Sequence, residues 1–111
     1  MENISVEKAR EIQKQALKEM EENRYYDVFL DLKKDTERRI EEWAGNGDSY
    51  CWTKELKNDL SYVTIKNENK LNQYLQNKMK IVFEDTLGFK VDYNPAYNTM
   101  RISWEEHAKD D

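Results

Sequence analysis

The chain has 111 residues and a net charge of −5, and its charged (37%) and hydrophobic (38%) residues are almost equally frequent. These values fit one polar globular domain and exclude a membrane span, which needs roughly 18 consecutive apolar residues; the N-terminus also lacks the apolar segment of a signal peptide. Thirteen aromatic residues are too many for a typically disordered chain, while the acidity disfavours nonspecific binding of duplex DNA. The sequence thus predicts a folded cytoplasmic protein with neither a membrane nor duplex DNA as its partner.

Residues 6–22 have the pattern of an amphipathic helix. Ser5 is a suitable N-cap, and small or apolar residues then recur every three or four positions. They are Ala9, Ile12, Ala16 and Met20. Because this stripe is narrow and built partly from alanine, we expect it to lie against the domain or a neighbouring subunit without filling much core. It is therefore a candidate assembly element of a homo-oligomer, with a dimer as the expected form.

A second helix is predicted over residues 27–44, after a break near Asn23 and with Asp27 as a possible cap. Its apolar face is fuller than that of the first helix. The face comprises Phe29, Leu32, Thr36, Ile40 and Trp43. The helix is expected to end at Ala44-Gly45-Asn46-Gly47, because Gly and Asn tolerate the left-handed backbone of a C-terminal cap and turn.

A strand and a third helix follow the Gly turn. Residues 49–53 are short and aromatic, which favours a first strand, whereas residues 54–66 permit both a helical turn and an extended segment. The third helix should end at Leu87, with Gly88 just past its C-terminus. Its apolar side consists of Leu71, Leu75, Met79, Val82 and Phe83.

Alternating residues predict a β-hairpin with one apolar face near the end of the chain. The apolar positions are Phe89, Val91, Tyr93, Met100, Ile102 and Trp104. The chain is therefore predicted to be an α+β fold of order α-α-β-(irregular)-α-β-β, with helices packed on one face of a small antiparallel sheet. We expect one domain over residues 1–104 and an acidic flexible tail over residues 105–111.

The negative charge is concentrated at the two ends of the sequence. Residues 1–47 and residues 105–111 each carry a net charge of −3, whereas residues 48–104 carry +1. Acidity of this kind maintains solubility. The alternative is that an acidic face mimics nucleic acid and blocks a DNA-binding protein.

Few residues in the sequence are suited to catalysis. Cys51, the single cysteine, lies between two aromatic residues of the predicted strand and is expected to be a buried, inert thiol. His107, the single histidine, has no partner at a metal-binding spacing and is expected in the solvated tail. The chain also has no Gly-rich phosphate loop and no nucleophile motif. We predict a protein that is not an enzyme, with no catalytic residue, metal or cofactor.

Three short motifs follow one another along the chain. They are Ile40-Glu41-Glu42-Trp43-Ala44-Gly45-Asn46-Gly47, Leu87-Gly88-Phe89-Lys90-Val91 and Ile102-Ser103-Trp104. This order resembles a set of small, mostly uncharacterised accessory proteins of tailed bacteriophages. The resemblance covers residues 36–53 and 70–104. Residues 54–69 depart from the pattern because they are longer here, which makes them a candidate for a protein-specific role.

The resemblance implies a phage product made in the cytoplasm of an infected bacterium. Small acidic proteins of this kind often bind a host factor, so it favours a protein that binds and inhibits a host defence or regulatory protein. One alternative is a decoy that sequesters a signalling nucleotide. Another is a structural or assembly component of the virion.

The predicted hairpin contains residue types suited to a nucleotide. The candidate ligand-binding residues are Tyr93, Tyr97, Asn98 and Arg101. Aromatic faces stack on bases, Arg binds phosphate oxygens with two donors, and Asn amides read base edges. Ordinary burial of the alternating face accounts for Tyr93 as well, so a purely structural interpretation stays open.

The candidate partner-binding residues are Arg24, Tyr25 and Tyr26, between the two predicted N-terminal helices. Tyr and Arg are enriched among the residues that dominate the binding energy of protein interfaces. Adjacent residues of a helix point in different directions. We therefore expect one of the two tyrosines in the core and the other at the surface.

Overall fold

The computed structural model describes residues 5–105 and confirms an α+β fold with a three-stranded antiparallel sheet. Its elements are α1 (Val6–Gly45), β1 (Tyr50–Trp52), α2 (Glu68–Met79), β2 (Lys90–Asn94) and β3 (Thr99–Ser103). A π-helical segment, Lys80–Thr86, continues α2 without interruption. The predicted tail lies outside the described residues from position 106 onward, and so does His107. Within residues 5–105, no helix is both long and apolar enough to cross a membrane.

α1 is one continuous helix, which corrects the prediction of separate helices over residues 6–22 and 27–44. The region around Asn23 contains no Gly or Pro, and Asn inside a helix costs less than about 1 kcal/mol. The apparent break is the point at which the apolar residues move from one side of α1 to the other. Nine residues make two and a half turns, so Met20 and Phe29 lie on opposite sides of α1. A shift of the hydrophobic pattern by half a turn therefore imitates the start of a new helix.

Both ends of α1 follow the sequence prediction. The Ser5 hydroxyl accepts a hydrogen bond from the backbone N–H of Lys8 at 3.1 Å, which confirms the predicted N-cap. At the other end Asn46 is the C-cap, and Gly47 has a φ of 90°. The predicted Gly turn is confirmed, because a φ of this sign is strained for residues with a side chain.

Only the C-terminal half of α1 packs against the rest of the chain. Every described residue before Glu21 is exposed, whereas Tyr25 begins a series of buried positions. We call residues 6–24 the arm and residues 25–105 the body. The arm makes the molecule elongated: the radius of gyration is 18.7 Å, against about 13 Å for a compact domain of this length.

The sheet has strand order β1-β3-β2 and buries one of its two faces. Ile102 of β3 lies opposite Cys51 on one side and Val91 on the other, and all three side chains are buried. Since residues paired across antiparallel strands share a face, this is the face that the helices cover. The predicted hairpin with one apolar face and the packing of helices on a single face of the sheet are confirmed.

α2 and the π-helical segment supply the helical side of the core. Its fully buried residues are Leu71, Leu75, Met79 and Phe83, spaced by four. A spacing of four exceeds the 3.6 residues of an α-helical turn, so such a row drifts around the helix. The wider turn of the π-helix offsets this drift and keeps Phe83 on the core side. The helix ends as predicted, with Gly88 at a φ of 83°.

Candidate functional site

Asn98, a predicted ligand-binding residue, is the centre of an internal polar network. Its Oδ1 atom accepts hydrogen bonds from the Tyr93 hydroxyl at 2.7 Å and from the Asn72 amide at 2.6 Å. Its Nδ2 atom donates to the carbonyl oxygen of Leu56 at 2.9 Å. The backbone φ of 53° places Asn98 in the left-handed region, which Asn tolerates better than most residues. Tyr93 and Asn98 therefore join the hairpin, α2 and the loop before α2.

Arg101 lies on the opposite face of the sheet from Tyr93. Tyr93 is paired with Met100, and both belong to the face that the helices cover. Arg101 is the next residue in β3 and so points the other way. Tyr97 lies in the connection between β2 and β3 and is 75% exposed. Tyr93 and Asn98 are thus used inside the fold, and Arg101 lies on the other face of the sheet. Tyr97 is left as an exposed residue of the connection.

The three predicted partner-binding residues lie at the junction of arm and body. Tyr25 is only 5% exposed, and its ring centroid is 5.5 Å from that of Tyr74. Burial, reinforced by the negative charge of Glu21, raises the pKa of Tyr25. Tyr26 is 44% exposed, and Arg24 is exposed as well. The prediction of one core and one surface tyrosine is confirmed, and Tyr25 is corrected from a partner contact to a core residue.

The second face of the sheet carries a cluster that the sequence prediction missed. Tyr50 and Trp52 flank the buried Cys51 in β1, so both side chains point away from the helices. Trp52 is paired with Arg101 of β3. The side chains of all three are partly exposed. We call Tyr50, Trp52 and Arg101, with the surface around them, the open face.

Arg101 is held in place on the open face. Its guanidinium carbon lies 4.5 Å from the ring centroid of Tyr50, which is a cation–π distance. Its Nη2 atom donates to Glu105 at 3.0 Å. Trp43, near the end of α1, packs edge-on against Tyr50, and the two ring centroids are 5.6 Å apart. The stack is therefore arranged before any partner arrives.

Both edges of the sheet are occupied by side chains of the helical elements. The Arg39 guanidinium donates to the carbonyl oxygen of Trp52 at 3.3 Å, on the side of β1 that faces away from β3. At the other edge, the backbone N–H of Val91 donates to the Glu84 carboxylate at 3.2 Å. Capped edges disfavour the addition of a partner's strand. A partner would be recognised by the side chains of the open face instead.

A cleft of about 460 Å³ lies between α1 and the loop that contains Leu60 and Tyr62. Three of its charged groups are already paired: Asp31 with Lys54 at 2.6 Å, and Lys33 with Glu37 at 3.2 Å. Although partial burial opposes the charged form, the hydrogen bonds to Asp31 and Asp59 raise the pKa of Lys54. The contact with Asp31 attaches the irregular segment 53–67 to α1, and the contact with Asp59 lies within that segment, so a structural role accounts for both.

Cys51 is fully buried beneath the helices, as predicted. Burial raises the pKa of its thiol to about 11, against a smaller opposing effect of the Arg39 charge. A thiol that stays protonated and out of contact with solvent is a poor nucleophile and a poor metal ligand. Across residues 5–105, no group of three or more His, Cys, Asp or Glu side chains is placed to hold a metal ion.

Comparisons of the chain with protein-family models, with curated proteins and with solved structures give no match. The open face has to be interpreted from its own geometry. The signal for it was present in the sequence: Tyr50 and Trp52 alternate with Cys51, and a small buried residue between two large aromatics places both aromatics on the face away from the core. The register of β3, which brings Arg101 beside Tyr50 and Trp52, had no such local signal.

Proposed function

We propose that the protein binds another protein stoichiometrically through the open face. The observation that carries this proposal is the partly exposed stack of Arg101 on Tyr50 beside Trp52, on the face of the sheet opposite the buried core. Tyr, Trp and Arg are the residues most enriched among those that dominate interface energies. The bacteriophage resemblance supports the finer statement that the partner is a host defence or regulatory protein, which is inhibited in the bacterial cytoplasm.

Preorganisation supports binding through this cluster. Ordering an arginine side chain on binding costs about 0.5–1.5 kcal/mol, and Arg101 is already held between Tyr50 and Glu105. Truncating a residue that dominates an interface costs about 2 kcal/mol or more, which is roughly thirtyfold in Kd.

The geometry gives less support to a nucleotide decoy. The side-chain oxygen and nitrogen of Asn98 are occupied inside the fold, and Arg101 lies on the other side of the sheet from Tyr93. No observation on the described residues specifically favours a structural component of the virion.

Capture from a bacterial lysate with tagged variants tests the proposal. The wild-type chain should retain a defined host protein, and Trp52→Ala and Arg101→Gln should each reduce its recovery at least tenfold. Tyr97→Ala is the matched control, because Tyr97 is an exposed aromatic residue in the connection between β2 and β3 and does not belong to the open face. It should leave recovery unchanged.

Thermal unfolding of each variant separates lost binding from lost folding. Trp52→Phe keeps an aromatic ring in the strand. It replaces Trp52→Ala in the capture experiment if Trp52→Ala lowers the unfolding temperature. A partner that is retained equally by wild type, Trp52→Ala and Arg101→Gln would refute the open face as the binding surface.

A further inference from the structure

We propose that a cavity beside the open face binds an acidic side chain of the partner protein. The inference rests on the proposed function, because it names a chemical feature of the protein that the open face contacts. The cavity has a volume of about 290 Å³ and lies where β2 begins and β3 ends. Six residues with side chains line it: the apolar Leu87, Phe89 and Trp104 and the polar Lys90, Ser103 and Glu105.

The strand register places the cavity next to the open face. Ser103 of β3 is paired with Tyr50 of β1 on one side and with Lys90 of β2 on the other. Paired residues of antiparallel strands lie side by side on one face of the sheet. Because Tyr50 belongs to the open face, Ser103 and Lys90 extend that face toward β2. A protein that covers Tyr50 and Arg101 therefore also reaches the cavity.

Ser103 offers the cavity an unused hydrogen-bonding group. Its neighbour Ile102 points into the core, so the side chain of Ser103 points toward the open face. Ser103 is nevertheless only 3% exposed. Within residues 5–105 its hydroxyl forms no hydrogen bond, although buried polar groups normally have a partner. An oxygen atom that enters the cavity can accept a hydrogen bond from this hydroxyl.

The ammonium group of Lys90 has no counterpart at the cavity. In the part of the chain that the structure describes, no carboxylate lies within ion-pair distance of it. Glu105 accepts a hydrogen bond from Arg101 at 3.0 Å, and Asp92 is paired with Arg101 in the sheet register. These four residues carry two charges of each sign, so the face as a whole does not attract anions. A carboxylate is favoured only next to Lys90, where it gains charge-assisted hydrogen bonds.

The apolar walls of the cavity are held in place by aromatic packing. The Phe89 ring packs against the rings of both Phe83 and Trp104, with centroid distances of 6.0 Å and 6.2 Å. Leu87, another wall residue, is 52% exposed. Pockets with apolar walls and a few polar groups at fixed positions select their occupant by its chemistry. The occupant is a Glu or Asp side chain of the partner, and an apolar residue beside it would cover Leu87.

Two short peptides test the cavity without the partner. Acetyl-Leu-Glu-amide and acetyl-Leu-Gln-amide have nearly the same shape and differ in the charge of one side chain. In NMR titrations at low salt, the Glu peptide should shift the backbone amide signals of Lys90 and Ser103 about threefold more than the Gln peptide. Equal shifts from the two peptides would overturn the proposal.

Two lysine variants show whether this preference comes from the cavity. Lys90→Met should remove the difference between the peptides, because it removes the positive charge and keeps an unbranched side chain. Lys14→Met removes the same charge from the exposed arm and is the matched control. It should leave the difference unchanged. A preference for the Glu peptide that survives Lys90→Met would also overturn the proposal.

Binding of the captured partner tests the same pairing in the complex. Lys90→Glu should raise the Kd about tenfold or more, because it places like charges together, whereas Lys90→Arg should keep it near the wild-type value. Ser103→Ala should raise it about threefold, and the control Lys14→Glu should not change it. Wild-type affinity in Lys90→Glu, together with lost capture by Trp52→Ala, would overturn this inference and leave the proposed function standing. Absence of any captured protein would instead refute the proposed function, while the peptide titrations still decide what the cavity binds.

Discussion

The two halves of α1 belong to one helix but depend on different interactions. The half within the body buries Val28, Phe29 and Leu32, so packing of these side chains stabilises it independently of its surface charges. The arm buries no residue and has local support only, from the Ser5 cap and hydrogen bonds such as that of Gln15 to Glu19 at 3.2 Å. Continuity of a helix is therefore no measure of burial along it.

The body half explains why the arm can be helical at all. Starting a helix in water is unfavourable, because the first turn fixes several residues for a single hydrogen bond. The arm instead extends a helix that the body has already nucleated, so each residue adds a hydrogen bond without that initial cost. Strong helix formers such as Ala, Glu, Lys and Gln suffice for this extension.

A matched pair of leucines sharpens this comparison most strongly. Leu32 is 2% exposed and Leu17 is 58% exposed, and both lie within α1. Leu32→Ala should lower the free energy of unfolding by about 2–5 kcal/mol, because it removes buried methyl groups and leaves a cavity. Leu17→Ala should change it by less than about 0.5 kcal/mol. Urea unfolding of both variants at low protein concentration provides the measurement, and equal losses would contradict the division into arm and body.

The next largest loss of stability is expected from substitutions in the polar network around Asn98. Asn98→Ala should lower the free energy of unfolding by about 2–3 kcal/mol. It removes three hydrogen bonds, and it leaves alanine, which tolerates the left-handed region less well than asparagine, at a φ of 53°. Asn98→Gly loses the same hydrogen bonds but accepts this φ freely. It should therefore be the less damaging of the two in thermal unfolding. The reverse order would show that backbone conformation is not part of the role of Asn98.

The buried thiol of the body should make stability fall in alkaline solution. The pKa of Cys51 in the folded chain is about 11, above its ordinary value of 9.0, so the folded state holds the proton more tightly. This contribution is fully present well below pH 9 and is lost as the pH rises toward 11. The loss of unfolding free energy amounts to about 1–2 kcal/mol by pH 10.5.

Comparison of wild type with Cys51→Ala isolates this contribution from the other groups that titrate in alkali. The difference in unfolding free energy between the two proteins should shrink between pH 8.5 and 10.5 by that amount. A difference that stays constant over this range would show that Cys51 ionises as readily in the folded chain as in the unfolded one.

Much of the fold could be predicted from local sequence. Ser5, Gly47 and Gly88 mark helix ends through backbone preferences that act within a few residues. The alternation of Val91 and Ile102 with polar neighbours predicts which side of each strand is buried. Such features need no knowledge of the rest of the chain.

The misjudged parts depend on relations between distant segments. The apolar shift between Met20 and Phe29 was interpreted as a helix break, because periodicity alone does not distinguish a new helix from a new side of the same helix. The separation of Arg101 from Tyr93 depends on which face the helices cover, and that is settled by tertiary packing. The open face likewise required the register of β1 against β3.

Hydrogen exchange along α1 tests most directly the claim that the arm is independent of its own body. In dilute solution, backbone amides of the arm should exchange at least ~100-fold faster than those near Leu32, because only the segment around Leu32 packs against the rest of the chain. Exchange of the arm as slow as that near Leu32 would contradict its independence from the body.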